Sequence, residues 1–302
     1  MSTNFPGSAL DTYTRALSSD QQNSPTHSSQ HDNAFDAIEA LEAKVGVDSS
    51  AVTTSHDYKL SSVTGILKAS PTDGWIPAGE TWTYAAADDP TFTFTIAGTD
   101  LTTKYYAGMR IKLTQTTPKY FLITKVAFST DTTVTIYGGT DYDLANAAIT
   151  SPFYSTAKAP AGFPLDKSKW TVLVTDSSDR QQASPTQNTW YNIGTTNSQI
   201  TIPIGVWNLD YQTNIYVTKS ATNLTVKSTL STANNSESDT TLTSAVIGYQ
   251  AAGAMVSKDK ILVLTVKTLY YLNALATDAS VDNIDFRGDR GDTIIRAICA
   301  YI

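Results

Sequence analysis

Two of the three histidines have a spacing that could serve a metal ion. His27 and His31 are four positions apart, so on a helix they would share one face. Neither a cysteine nor a third histidine lies near them in sequence, and Pro25 favours a helix that starts after His27. Polar residues at a helix entrance explain the pair without chemistry, so we predict no metal site.

A pair of carboxylates follows a glycine turn. Asp141 and Asp143 flank Tyr142 just after Gly138-Gly139. Paired carboxylates on a loop can hold a divalent cation or act in glycoside cleavage, but a turn after a strand gives the same pattern. The GxSxG, HExxH, P-loop and GxGxxG patterns do not occur. We therefore expect no enzyme activity, no catalytic residue and no cofactor.

Two further patterns suggest ligand contacts. Residues 287–292 read RGDRGD, which permits a cell-adhesion interpretation, although a glycine-rich turn before a last strand explains the pattern better. The aromatic residues, which include sixteen tyrosines, could form a sugar-stacking platform with Trp75, Trp82, Trp190 and Trp207. Aromatic side chains on sheets are more often core or interface residues.

The composition narrows the classes of partner. Hydrophobic residues make up 41% of the chain and charged residues only 16%, with a net charge of -7. The 21 basic residues are scattered, so we expect no nucleic-acid partner. No segment resembles a signal peptide or a membrane span, which predicts a soluble protein with no membrane partner. Cys299, the one cysteine, lies in an apolar run and is expected to be buried and inert.

One stretch, from Ser28 to Tyr58, gives the clearest helical pattern. Its apolar residues are spaced four, three and four apart, which places them on one stripe with the spacing that meets a partner helix: Ala34, Ile38, Leu41 and Val45. Gly46 is well placed to end the helix. Two interpretations stay open: the stripe packs on its own domain, or it is the oligomer contact of a small bundle.

The chain predicts four segments in order. Residues 1–27 form an extended arm of low hydrophobicity, whose few apolar side chains would anchor it to a partner: Phe5, Leu10, Tyr13 and Leu17. Residues 28–64 hold the single helix and a connector, 70–155 a small β-domain, and 165–302 a C-terminal domain. Residues 151–164 contain three prolines and mark the boundary between the last two.

Strict alternation of side chains predicts a mainly β protein. Thr91–Ile96 alternates over one short strand, and residues 207–217 do the same over a longer one. Five or six strands in the first β-region suggest a small barrel or sandwich. About eight antiparallel strands in the second suggest a jelly roll. Among the strands expected in the second region are Thr189–Ile193 and Lys260–Leu272.

Parts of the sequence resemble structural proteins of tailed bacteriophages. The helical segment HSSQHDNAFDAIEALEAKVGVDSSAVTTSHDYKL is similar to N-terminal segments of tail and fibre-type proteins. The block from WIPAGETWTYAAADDPTFTFTIAG to FPLDKSKW looks like a recurrent module of phage and prophage virion proteins. The last region, ending RGDRGDTIIRAICAYI, resembles trimeric jelly rolls with tumour-necrosis-factor-like topology that cap fibres and baseplate parts.

The resemblance implies a homotrimer of the virion, assembled in the bacterial host cytoplasm. It also implies attachment to other virion proteins through the N-terminal region and an outward C-terminal jelly roll. A tail, baseplate or fibre role is the leading expectation. The alternatives are a capsid decoration or head-fibre protein, and a module in which residues 165–302 bind a host cell-surface glycan.

Overall fold

The computed structural model describes residues 27–47, 51–58 and 73–302. The chain forms two compact units, Met1–Pro77 and Ala78–Ile302. The described residues are mainly β with antiparallel pairing throughout, so the predicted fold class is confirmed.

The first unit contains helix α1 (His27–Val45) and a two-residue strand, β1 (Ile76–Pro77). Residues 56–58 are also helical, which the sequence pattern does not reveal. Gly46 ends α1 as predicted: its φ is 87°, and its N–H donates to the Glu42 carbonyl at 2.7 Å. A Cβ on Gly46 would lie 2.8 Å from the Ser55 Cβ, so both conformation and space call for glycine. Of the helices that the structure describes, none is long and apolar enough to cross a membrane.

The second unit begins with an antiparallel sheet in the order β7-β4-β5-β6-β3-β2. Its strands are β2 (Thr83–Asp88), β3 (Thr91–Ile96), β4 (Arg110–Gln115), β5 (Thr117–Phe128), β6 (Thr132–Tyr137) and β7 (Thr150–Ser155). The alternation in β3 works as predicted, because Phe92, Phe94 and Ile96 are all buried. Phe94 stacks on Trp82 with ring centroids 4.4 Å apart, at the centre of the core of this sheet.

The second sheet has eight strands, the number expected from the sequence. They are β8 (Thr171–Asp176), β9 (Arg180–Ala183), β10 (Gln199–Ile202), β11 (Gly205–Ser231), β12 (Thr243–Leu264), β13 (Thr268–Ala276), β14 (Val281–Phe286) and β15 (Thr293–Cys299). Strands β11 and β12 form one long antiparallel hairpin.

Strand β11 organises this sheet. Along one edge it pairs with β12 over nearly its whole length. Along the other edge it pairs in succession with β15 (residues 207–212), β14 (215–219) and β13 (226–231). The register shifts between Thr218 and Asn223, and the buried side of β11 changes there from odd positions such as Val217 to even positions such as Leu224. One strand thus serves three successive parts of a strongly curved sheet.

Several predicted strand boundaries are wrong. The expected strand Lys260–Leu272 is interrupted, because β12 ends at Leu264 and β13 starts at Thr268. Val266, which alternation places with the core, is 67% exposed in the turn between them. Thr189–Ile193 is not a strand and makes one isolated bridge, between Tyr191 and Ala274. No proline or glycine marks the turn at 265–267, so the pattern carried no signal for it.

Aromatic side chains join the two sheets within the second unit. Tyr137 at the end of β6 packs on Trp170 and Trp207, with ring centroids 5.9 and 5.1 Å apart. Phe163, from the proline-containing segment between the sheets, stacks on Trp170 at 5.2 Å. The boundary predicted from the three prolines therefore falls inside one compact unit.

Arg110 reinforces this junction. Its buried guanidinium donates to three backbone carbonyls: Gly108 at 2.5 Å, Tyr301 at 2.6 Å and Lys158 at 3.1 Å. One side chain of the first sheet thereby holds the connecting segment and the residues that follow β15. Burial lowers the pKa of Arg110 below its ordinary value, and the three carbonyls compensate for the lost hydration.

Candidate functional site

The apolar stripe of α1, defined as Ala34, Ile38, Leu41 and Val45, is exposed in this chain. Leu41 is 61% exposed, Val45 43% and Ile38 38%, and Ala34 is exposed as well. The helix does form, and the stripe lies along it at the predicted spacing. The interpretation in which the stripe packs on its own domain is therefore not what the structure shows.

A neighbouring face of α1 is covered instead. Phe35 and Glu39 are half-buried and Glu42 is only 7% exposed. Glu42 was expected to stay in water with Asp36 and Lys44, so for Glu42 that expectation is wrong. The spacing of four and three along residues 35, 39 and 42 gives a second stripe about 100° around the helix from the first. The helix thus covers a face with two carboxylates and leaves its apolar stripe outside.

This arrangement is unfavourable for a helix that remains alone. Exposed apolar side chains gain no burial energy, whereas full burial of one Leu or Ile is worth about 1.5–3 kcal/mol. A stripe with spacing four, three and four suits the packing of side chains between partner helices. The geometry supports helix–helix association as the use of this surface.

Other predicted site residues give less information. Phe5, Leu10, Tyr13 and Leu17, the predicted virion-anchoring residues, lie outside the described residues. Helix α1 already begins at His27 rather than after it. Within residues 27–47, 51–58 and 73–302, no group of three or more His, Cys, Asp or Glu residues is arranged to hold a metal ion.

The two carboxylates Asp141 and Asp143 do not act as a pair. The Asp141 carboxylate accepts hydrogen bonds from Lys169 Nζ at 3.1 Å and from the Thr140 hydroxyl at 2.9 Å. The hydrogen bond from Lys169 lowers the pKa of Asp141 below its ordinary value. The backbone carbonyl of Asp143, rather than its carboxylate, accepts a hydrogen bond from Lys119 at 2.5 Å. Asp141 therefore serves as the counter-ion of a lysine.

That lysine is itself an anchor of the loop. Lys169 is 6% exposed, and its Nζ also donates to the Gly138 carbonyl at 3.1 Å and lies 3.8 Å from the ring centroid of Tyr142. Burial lowers the pKa of Lys169 below its ordinary value, while the hydrogen bond with Asp141 opposes this effect. The loop after β6 is consequently fixed to the segment before β8. The sequence gave no sign of this, because a lysine so far along the chain has no recognisable motif.

The repeated RGD sequence forms the predicted turn. Residues 288–290 make a short 3-10 helix before β15. Arg287 makes two hydrogen bonds to the carboxylate of Asp289, at 2.8 and 2.9 Å, so the first tripeptide is closed on itself. The guanidinium of Arg290 lies 5.1 Å from the ring centroid of Tyr216. A Cβ on Gly288 would lie 2.2 Å from the Ser177 carbonyl oxygen, so this glycine serves close backbone packing.

The tryptophans named as a sugar platform are mostly core residues. Trp75, Trp82 and Trp207 are at most 2% exposed, so none of them presents a ring face to a sugar. Trp190 is half-exposed. A cleft of about 430 Å³ beside Trp82 is lined mainly by small and uncharged side chains. Cys299 is buried as expected, and burial raises its pKa to about 11.

Comparisons with known proteins add little. No family model matches the chain, and no curated protein sequence matches it. Among solved structures, a chain from infectious bursal disease virus strain Gx aligns with a TM-score of 0.24 and 13% identity, over 74% of this chain and 57% of that one. A mutant VP2 protein of infectious bursal disease virus, from derived T=1 particles, aligns with a TM-score of 0.22 and 10% identity, over 72% and 60%. This chain thus spans less than two thirds of either. TM-scores this low do not establish a shared fold.

Proposed function

We propose that this chain is a non-enzymatic structural protein of a tailed-phage particle and that it works as a homotrimer. In this proposal the N-terminal region attaches it to other virion proteins, and the second β-sheet is the displayed jelly roll. The observation that carries the proposal is the exposed apolar stripe of α1, which gives each copy a surface suited to its own copies. The choice of a trimer and of a phage particle rests on the sequence resemblance.

Association through the stripe has a simple energetic basis. A helix of 19 residues is marginal in water without packing. Leu41 alone, at 61% exposure, would gain about 1–2 kcal/mol per chain on burial. Burial of Ile38 and Val45 adds to this in every copy. Self-association and helix stability are therefore coupled.

The contacts of the charged candidates also support a structural role. Asp141 is held by Lys169, and Arg287 by Asp289, so these groups maintain loops. Side chains engaged in this way would have to give up partners before acting on a substrate.

The proposal is tested by sedimentation of the full chain and of two variants. We expect the wild type to sediment as a trimer at micromolar concentration. Leu41→Glu places a charge in the stripe and should weaken association by at least tenfold. Ala43→Glu is the matched control, because residue 43 is exposed on the opposite side of α1 and should leave association unchanged. A wild-type chain that is monomeric at this concentration would contradict the proposal.

Counting copies distinguishes the finer alternatives. A fibre, tail or baseplate protein should be present in a few copies per particle, whereas a capsid decoration protein occupies lattice positions in high copy number. Quantitative mass spectrometry of purified particles against a known capsid protein measures this ratio.

A further inference from the structure

Strand β12 carries a second exposed apolar surface. The exposed fractions are 75% for Ile247, 64% for Tyr249, 49% for Met255, 67% for Ile261 and 73% for Val263. All five occupy odd positions, whereas the buried residues of this strand, Ala252, Val256 and Leu262, occupy even positions. The side chains of a strand alternate between its two sides, so the five exposed residues share the outward side of β12.

This outward side is almost uncharged. Its ten positions are Ala245, Ile247, Tyr249, Ala251, Gly253, Met255, Ser257, Asp259, Ile261 and Val263, of which only Asp259 is charged. Surfaces that stay in water usually carry more charge than this. Depletion of charged residues is a feature of the buried centre of protein interfaces.

The free edge of β12 has the same implication. Among the described residues, β12 pairs with β11 and with no strand on its other side. The strand is 22 residues long and contains no proline. Proteins usually protect such edges by keeping them short or by placing proline and charge on them. The charges here are concentrated at residues 258–260, and Lys260 is paired with Asp239.

We propose that the outward side of β12 packs against β12 or its surroundings in a second copy of this chain. The proposal rests on the proposed homo-oligomer and names a further contact within it. The five residues together expose several hundred Å² of apolar side chain, and monomers rarely leave a patch of that size uncovered. A standard interface buries about 800 Å² per partner, so this surface can supply most of one side.

A second copy is favoured over an unrelated protein by the apolar stripe of α1. Chains that associate through α1 hold their β12 surfaces at a high effective concentration, so even a weak contact there forms readily. Interfaces between permanently associated identical chains are also the more apolar class, as this surface is. Both exposed apolar surfaces are then covered by one event.

The test is cysteine labelling of the full-length protein. Ser257→Cys places a thiol on the outward side of β12, and Ser129→Cys places one on an exposed turn of the first sheet. Cys299 is buried, so it reacts slowly in the folded protein and leaves the new thiol distinct. We expect maleimide to label Cys at 257 at least tenfold more slowly than Cys at 129 in the assembled wild-type background, and equally fast once Leu41→Glu dissociates the chains.

The outcomes are separable. If the protein is an oligomer but both thiols react at the same rate, this inference fails and the proposed function stands. Protection found only in whole particles would also overturn it, since the partner would then be a different protein. A monomeric wild type would overturn both.

A second pair of variants does not depend on labelling. The double variant Ile261→Asp, Val263→Asp should weaken self-association at least tenfold by sedimentation. Leu165→Asp is the control, because Leu165 is 54% exposed in the segment between the sheets, away from β12. An unchanged association constant in the folded double variant would contradict the proposal.

Discussion

At the scale of single residues, the charged groups of this chain mainly hold backbone segments together. Asp176 at the end of β8 is a clear case. Its buried carboxylate accepts hydrogen bonds from Arg180 at 2.7 and 3.1 Å and from the Ser178 N–H at 3.1 Å. The hydrogen bond with Arg180 holds the pKa of Asp176 below its ordinary value. Such a carboxylate links folding to pH.

The sign of this linkage gives a prediction. With its pKa lowered on folding, Asp176 binds fewer protons in the folded chain, so its stabilisation is present above about pH 4 and is lost as the pH falls through the lowered value. Asp176→Asn should therefore lower the melting temperature at pH 7 and show a smaller further decrease at about pH 3 than the wild type. Thermal unfolding followed by circular dichroism at both pH values measures this.

The control for this prediction is Asp143→Asn. Asp143 is exposed, and only its backbone carbonyl accepts a hydrogen bond among the contacts described above. That variant should follow the wild type at both pH values. An equal decrease for Asp176→Asn and the wild type on acidification would contradict the assignment.

At the scale of elements, β11 depends on a buried tyrosine where the sheet curves. The Tyr211 hydroxyl lies 3.1 Å from both the carbonyl and the hydroxyl of Ser228, and 3.0 Å from the Leu242 carbonyl. Tyr211 thereby connects the first half of β11 to its second half and to the start of β12. Its ring is fully buried.

Tyr211→Phe should destabilise the fold by about 1–3 kcal/mol, because buried carbonyls lose a donor while the packing of the ring is kept. Urea unfolding followed by fluorescence measures the change in the free energy of unfolding. Tyr216→Phe is the matched control on the same strand: Tyr216 lies on the outward side, with its ring against Gly253 and Arg290, and we expect a change below about 0.5 kcal/mol. Equal effects of the two substitutions would contradict the role given to Tyr211.

Much of this element structure could be predicted from local pattern. Alternation located β3 with its exact bounds as Thr91–Ile96 and located the apolar stripe of α1. It could not show that residues 207–218 and 224–230 belong to one strand, because the side that is buried changes between Thr218 and Asn223. Nor could it distinguish buried from exposed alternation: Ile261 and Val263 have the same strand-forming character as core residues. Which side is covered depends on partner strands distant in sequence.

At the scale of the whole molecule, the two sheets of the second unit should unfold together. Tyr137, Phe163, Trp170 and Trp207 pack across the junction, and Arg110 donates to carbonyls on both sides of it. We expect calorimetry of the full chain to show a single transition for this unit. Two well-separated transitions assignable to the two sheets would show that they are independent.

Arg110→Ala tests the junction directly. It leaves three carbonyls without their donor and removes a buried side chain, so we expect a loss of about 2–4 kcal/mol and a lower transition temperature. The control is Arg296→Ala, in which an exposed pair with Asp210 is lost, for less than about 1 kcal/mol. Equal effects of the two changes would exclude a special role for Arg110.

The three-part edge of β11 has a consequence for biosynthesis. The strand leaves the ribosome well before β15, the partner of its first residues, since Asn208 pairs with Ile298. At about 5–20 residues per second, the nascent chain waits on the order of ten seconds for that partner. During this interval the inner side of the long hairpin is uncovered in a crowded cell. Slow synthesis or a premature stop would therefore leave chains prone to aggregation, and co-expression with a chaperone should raise the soluble yield.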